Sequence, residues 1–131
     1  MSSCHSLEKL SLGYLRLRNP YIIDSLLENS QTLQVLDLFE TQPSQQTIEK
    51  IVTKCDKLKE INFCFAQLKP EAIAFICNNL TPSIQKLGLS HNSVTDENIR
   101  TLVRRCHYIT ELDLQATGNF FLKSNKSTLF L

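Results

Sequence analysis

The hexamer "LQVLDL", Leu33 to Leu38, recurs along the chain with little change. "LEKLSL" begins at Leu7, "LKEINF" at Leu58, "IQKLGL" at Ile84 and "ITELDL" at Ile109, so the five starts are 26, 25, 26 and 25 residues apart. A fixed period of this length restricts the fold severely. Each unit is one supersecondary piece that cannot bury its apolar face alone and must stack on its neighbours. Inside each hexamer the last two apolar residues lie two apart, the strand period, which sends Leu36 and Leu38 to one face and Asp37 to the other. Between hexamers the spacing turns helical. Ile99, Leu102, Val103 and Cys106 fall at i, i+3, i+4 and i+7 and predict one core-facing helix face. Thr95 is placed to cap that helix, with Asp96 and Glu97 at the positive end of its dipole. Pro20 and Pro70 stand where a first helical position is expected, since the missing N–H has no partner there.

One strand and one helix per unit, with Leu-x-x-Leu-x-Leu on the strand, is the pattern of a leucine-rich repeat. The expected fold class is α/β, a solenoid of about five repeats. Parallel strands stack about 4.8 Å apart while helices are about 10 Å wide, so the stack should bend into a horseshoe arc with strands concave and helices convex. Residues 1–117 are assigned to the repeats, with strands near 9–13, 35–39, 60–64, 86–90 and 111–115. Residues 118–131 show no sixth hexamer and are expected to be an irregular tail or a truncated sixth repeat. The end units, with Leu7, Leu10 and Leu12 at one side and Ile109, Leu112 and Leu114 at the other, are expected to expose core side chains. Phe120, Phe121 and Leu122 could fold over the last of them.

Cys4, Cys55 and Cys106 each stand three residues before a hexamer, and Ser30 and Thr81 occupy the same slot in the units between. A small side chain is wanted where helix turns back into strand, and a buried thiol fills that space as a compact apolar group. These three cysteines are therefore expected to be structural. His5 and His107 follow two of them, but the pairs lie two units apart, about 10 Å by strand spacing, too far to share one tetrahedral ion. No metal and no cofactor are expected. The chain has five cysteines, an odd number, with no Cys-x-x-Cys pair, which suits a reducing compartment.

Charge and composition exclude further classes. With 14 Lys and Arg against 13 Asp and Glu, the chain has no electrostatic footprint for nucleic acid or an anionic membrane. No apolar run is long enough to span a bilayer, and "MSSCHSLEKL" lacks the layout of a signal peptide, so an intracellular location, nucleus or cytoplasm, is expected. Asn79-Leu80-Thr81 and Asn125-Lys126-Ser127 match a glycosylation pattern, which without a secretory signal is read as chance. The three glycines form no phosphate-binding loop. Ser90 beside His91 has no third group to orient the pair, and strand neighbours face opposite ways. Arg104 and Arg105 fall in a last helical turn, where cations complement the dipole. No catalytic residue is assigned, and the chain is expected not to be an enzyme.

What remains is a surface. The residues between the strand leucines should project from the concave face, and the middle column, Ser11, Asp37, Asn62, Gly88 and Asp113, is small and polar to acidic, leaving room for a partner's side chains. Asp37, Phe39, Asn62, Phe65, Ser90, His91 and Asp113 are the candidate protein-binding residues. Aromatic groups at the strand ends suit anchors for a protein partner, although Phe65 could equally fold inward over the sheet edge. Cys64, on the same face, is expected to be more reactive than Cys55 or Cys106.

The unit length and the cysteine slot resemble the cysteine-containing leucine-rich repeats of F-box proteins. The stretches "LSLGYLRLRNP", "LTPSIQKLGLS" and "LVRRC", with their Leu15-Arg16-Leu17 and Arg104-Arg105-Cys106 runs, carry that resemblance. It covers Cys4 to Thr117. It implies a substrate-recognition subunit of a Skp, cullin and F-box ubiquitin ligase in ubiquitin-dependent degradation and the cell cycle, with a protein substrate on the concave face and no catalysis of its own. Adaptor and cullin are expected only for a longer form that carries an F-box, which these residues lack. The family's later repeats are also missing, so its site for an accessory subunit would be incomplete. The alternatives are a stand-alone leucine-rich repeat adaptor or inhibitor unrelated to ubiquitin, or a truncated non-functional fragment.

Overall fold

A computed structural model describes residues 6–16, 20–28, 30–118 and 128–130. Strands and helices alternate: β1 (Lys9–Ser11), α1 (Pro20–Leu27), a short 3-10 turn (Ser30–Thr32), β2 (Val35–Asp37), α2 (Gln45–Lys54), β3 (Glu60–Asn62), α3 (Pro70–Asn79), β4 (Lys86–Gly88), α4 (Asp96–Arg105), β5 (Glu111–Asp113) and β6 (Thr128–Phe130). The first five strands form one parallel sheet in chain order, each paired only with its sequence neighbours. Register is unbroken, with Leu10, Leu36, Ile61, Leu87 and Leu112 side by side across it. Each helix lies against the next, so the chain is a solenoid-like α/β stack of strand and helix units. No helix among the described residues is long and apolar enough to cross a membrane.

Core and face separate by the expected alternation. Leu36, Ile61, Leu87 and Leu112 are at most 2% exposed, whereas Val35, Asp37, Glu60, Asn62 and Gly88 on either side of them are half-buried. Leu38, Phe63, Leu89 and Leu114 make a second buried row, and Leu33, Leu58, Ile84 and Ile109 a third. Ile48, Ile51, Ile73, Ile76, Ile99 and Leu102 meet these rows from the helices. Each such side chain contributes about 1.5–3 kcal/mol by the area it removes from water. Val103 departs from the predicted helical stripe. It is 40% exposed, because the apolar face of α4 is covered only along Ile99 and Leu102.

The strands are three residues long rather than five, but pairing runs on past them. Leu12 N–H donates to Asp37 O, Leu38 N–H to Asn62 O, Phe63 N–H to Gly88 O and Leu89 N–H to Asp113 O, all at 2.8–2.9 Å. A second set follows: Tyr14, Glu40, Phe65 and His91 N–H donate to Phe39, Cys64, Ser90 and Gln115 O at 2.8–3.0 Å. Those four donors, with Ala116, then take positive φ between 52° and 69°, and this left-handed residue ends the extended run in every unit. None is β-branched, the side-chain type that tolerates such a backbone least.

Helix ends follow the expected chemistry. Thr95 caps α4 in a reciprocal box with Asn98, its hydroxyl accepting from Asn98 N–H at 3.1 Å while Thr95 N–H donates to Asn98 Oδ1 at 2.9 Å. Ser44 caps α2, and Pro20 and Pro70 open α1 and α3. Cys55 and Cys106 are the C-cap residues of α2 and α4, buried to 1% and 3% exposure. Cys4 lies outside the described residues. In the third unit the cap falls on Leu80, one residue ahead of the cysteine slot. The extra residue of that 26-residue unit lies in Thr81-Pro82-Ser83, where Thr81 Oγ1 donates to Asp56 O and Ser83 Oγ to Leu58 O, both at 2.9 Å.

The two ends of the stack differ. Leu7 and Leu10 are half-buried and Leu12 is 9% exposed, whereas Ile109, Leu112 and Leu114 are at most 4% exposed. The outer edge of β5 is not bare: β6 pairs with it antiparallel, Thr128 opposite Asp113 and Phe130 opposite Glu111. Residues 128–130 are thus a strand rather than an irregular tail. The expected packing of Phe120, Phe121 and Leu122 falls outside the described residues.

Candidate functional site

The open face of the sheet carries three columns of side chains ending in the left-handed turns. In the first column, β4 sets Lys86 between Glu60 on β3 and Glu111 on β5 by register. Its Nζ lies 3.6 Å from Glu60 Oε1 and 3.9 Å from Glu111 Oε2, so one ammonium bridges two half-exposed carboxylates. Exposed pairs of this geometry contribute 0 to about 1 kcal/mol.

The middle column shares one local device. Asp37 Oδ1 accepts from Phe39 N–H at 3.0 Å, Asn62 Oδ1 from Cys64 N–H at 2.9 Å and Asp113 Oδ1 from Gln115 N–H at 3.1 Å. Each acceptor thereby takes the backbone donor two residues on, the bond these side chains form wherever a chain leaves regular structure. The remaining oxygens face outward: Asp37 Oδ2 accepts from Ser11 Oγ at 3.2 Å and Asp113 Oδ2 from Cys64 Sγ at 3.8 Å. Gly88 interrupts the column. A Cβ there would sit 2.7 Å from both Asn62 Oδ1 and Cys64 Sγ, so the two side chains lean over a gap that only glycine leaves. A depression of about 320 Å³ opens at this point, floored by the backbone at Leu36, Ile61, Leu87 and Gly88 and walled by Asp37, Glu60, Asn62, Cys64, Lys86, Glu111 and Asp113.

At the strand ends the aromatic rings form a row. Tyr14 meets Phe39 edge-on with centroids 5.4 Å apart, Phe39 lies 5.2 Å from Phe65, and Phe65 stacks on His91 at 3.7 Å and 17°. Three of the rings stand at left-handed turn positions. In the second unit that position is Glu40, and Phe39, one residue earlier on the face, closes the row instead. Phe65 is half-buried between its two neighbours, neither tucked under the sheet nor free.

Of the candidate residues, Asp37, Phe39, Asn62, Phe65, His91 and Asp113 share this face and are half-buried or exposed. Ser90 does not present itself: it is 4% exposed, its short hydroxyl engaged with Cys64. Cys64 corrects a second expectation. It is 6% exposed, and burial pushes its thiol up, against the hydrogen bonds to Ser90 and with the Asp113 carboxylate adding to the rise. Cys106 is likewise raised by burial, with Arg105 acting against it, and Cys77 is pushed up to about 12 by burial and by Cys106. Arg105 sits in the last turn of α4 as expected, and its Nε donates to Leu80 O at 2.7 Å, satisfying the end of the neighbouring helix. Among the described residues no three His, Cys, Asp or Glu side chains converge to hold a metal ion.

Asn92 was not singled out from sequence, although it holds this end of the sheet. It is 5% exposed; Oδ1 accepts from Leu68 N–H at 2.9 Å, and Nδ2 donates to Phe63 O at 2.9 Å and to Leu89 O and Ser90 O at 3.2 Å. Thr41 and Thr117 occupy the same place in their units and donate to the carbonyl three residues back, at 2.7 and 2.9 Å. The ninth position of each unit was the available signal. No protein-family model matches the chain.

Proposed function

We propose that the chain is a leucine-rich repeat solenoid whose open sheet face holds a protein partner. We assign it further to the substrate-recognition region of an F-box subunit of a Skp, cullin and F-box ubiquitin ligase, with adaptor and cullin joined through an F-box in a longer form. The observation that carries the protein-binding part is the face itself: a polar depression beside a row of half-exposed aromatic rings, on strands that no helix or loop among the described residues covers. Such a pairing of aromatic anchors with an open polar floor is what protein interfaces use. The ligase part is supported by the repeat length, the cysteine cap slot and the Arg104-Arg105-Cys106 run. Catalysis would belong to partner enzymes. In support, Asp37 and Asp113 are committed to backbone N–H groups and Ser90 is buried, an arrangement that shapes a surface rather than poises a nucleophile.

The test is affinity purification of the tagged longer form, the one expected to carry an F-box, with quantitative mass spectrometry, comparing the parent with a Phe39→Ala, Phe65→Ala variant. Cullin and adaptor should co-purify with both, and a distinct set of client proteins with the parent alone. Clients that persist in the variant would remove the face from the proposal, and absence of cullin would remove the ligase.

A further inference from the structure

We infer that the partner bound on this face presents an extended segment with a lysine or arginine that seats in the depression over Gly88, next to an apolar or aromatic side chain laid on the ring row. This rests on the protein-binding proposal above and adds the chemical class of the bound segment. The depression is walled by four carboxylates, Asp37, Glu60, Glu111 and Asp113, and by one ammonium, Lys86, a surplus of three negative charges. That one cation is shared between Glu60 and Glu111 at 3.6 and 3.9 Å, and among the described residues no salt bridge reaches Asp37 or Asp113. Each of those two carboxylates spends one oxygen on a backbone N–H and turns the other to a weak donor, the Ser11 hydroxyl or the Cys64 thiol. Carboxylates clustered on one concave surface reinforce one another's field and attract a cation.

Shape selects the same occupant. Gly88 withdraws the one side chain that would fill the middle of the face, and the floor beneath is strand backbone, since Leu36, Ile61 and Leu87 turn their side chains into the core. Lysine and arginine match such a site because a long unbranched stem crosses the space that Gly88 leaves and sets the charged head among the acceptors on the walls. A phosphorylated or acidic side chain would meet the surplus negative charge and be repelled. The rings of Phe39, Phe65 and His91 run alongside at the strand ends, within reach of the neighbouring residue of an extended segment.

The experiment is binding of the purified chain to arrayed short peptides that differ at one central position, lysine, arginine, norleucine or phosphoserine, each with and without a flanking phenylalanine. Lysine and arginine peptides should bind about tenfold tighter than their norleucine counterparts and lose that margin at high ionic strength. Glu60→Gln with Glu111→Gln should weaken them by about the same factor, whereas Lys86→Ala should strengthen them, a gain that general damage to the fold does not produce. Equal or better binding of norleucine or phosphoserine peptides overturns the cationic class while leaving the face as a binding surface. Peptide binding unmoved by these variants and by Phe39→Ala with Phe65→Ala overturns the proposal together with the reading beneath it. Failure to bind any arrayed peptide also overturns it, and client loss in the purification described above then decides the reading independently.

Discussion

Replacing Asn92 with alanine tests the account of how the units are joined. The substitution removes the acceptor of Leu68 N–H and the donor to Phe63, Leu89 and Ser90 carbonyls. The losses are unequal. Phe63 O keeps a second donor in Ala66 N–H at 3.1 Å and Ser90 O keeps Phe65 N–H at 3.0 Å, so those carbonyls are not stranded. Leu68, 7% exposed, is left with a buried donor facing nothing, worth about 1–3 kcal/mol, and the lost amide bonds and vacated space add about 1 kcal/mol more. The expected total is about 3 kcal/mol, or a fall of about 10 °C in Tm for a chain of this size. Asn92→Thr should lose about half of this, since a threonine in that place can donate to the carbonyl three residues back, as Thr41 and Thr117 do. Asn92→Asp should be the worst, because it keeps the Leu68 acceptor but sets a carboxylate against three carbonyl oxygens. Urea unfolding followed by circular dichroism gives the three values. A loss below about 0.5 kcal/mol for alanine, or aspartate milder than threonine, would refute the bond-by-bond reasoning.

Gly88→Ala should destabilise by about 1–2 kcal/mol by displacing Asn62 Oδ1 from Cys64 N–H, and clearly less in an Asn62→Gly background; equal losses in both, by the same unfolding assay, would exclude that contact as the cause. Cys64, Cys77 and Cys106 should all resist alkylation in the native protein and react together on unfolding; rapid native labelling of any one, read by mass spectrometry, would contradict its burial. A thiol raised in the folded state stabilises fully below its unfolded value, and that stability is lost as pH climbs towards the folded one. For Cys77 the window runs from 9.0 to about 12, so within it this one thiol should lower stability by about 1.4 kcal/mol per pH unit, and Cys77→Ala should make the alkaline slope shallower. An unchanged slope in alkaline unfolding curves would remove Cys77 as its source.

Residues in this sequence determined the features set within a single unit and by the fixed period of the repeat. The strand alternation, the order of strands and helices, the cap at Thr95, the prolines at helix starts and the buried Cys55 and Cys106 are all set by local preference multiplied by a fixed period, which forces like positions into register. The middle column of the face was legible for the same reason, because side chains between strand leucines can only point away from the core. Contacts between units were not legible. Whether Val103 is covered, whether Ser90 and Cys64 reach the surface, and which carbonyls Asn92 serves depend on how one unit's side chains lie over the next. Spacing along a single unit carries no such information. The aromatic row shows the limit most clearly: Tyr14, Phe65 and His91 share a place in their repeats, yet only packing decided that Phe39, one residue out of step, would close the gap left by Glu40. The edge of β5 met the same limit, since no repeat pattern in residues 118–131 pointed to β6, whose pairing is backbone bonding to an exposed edge and needs no particular side chains.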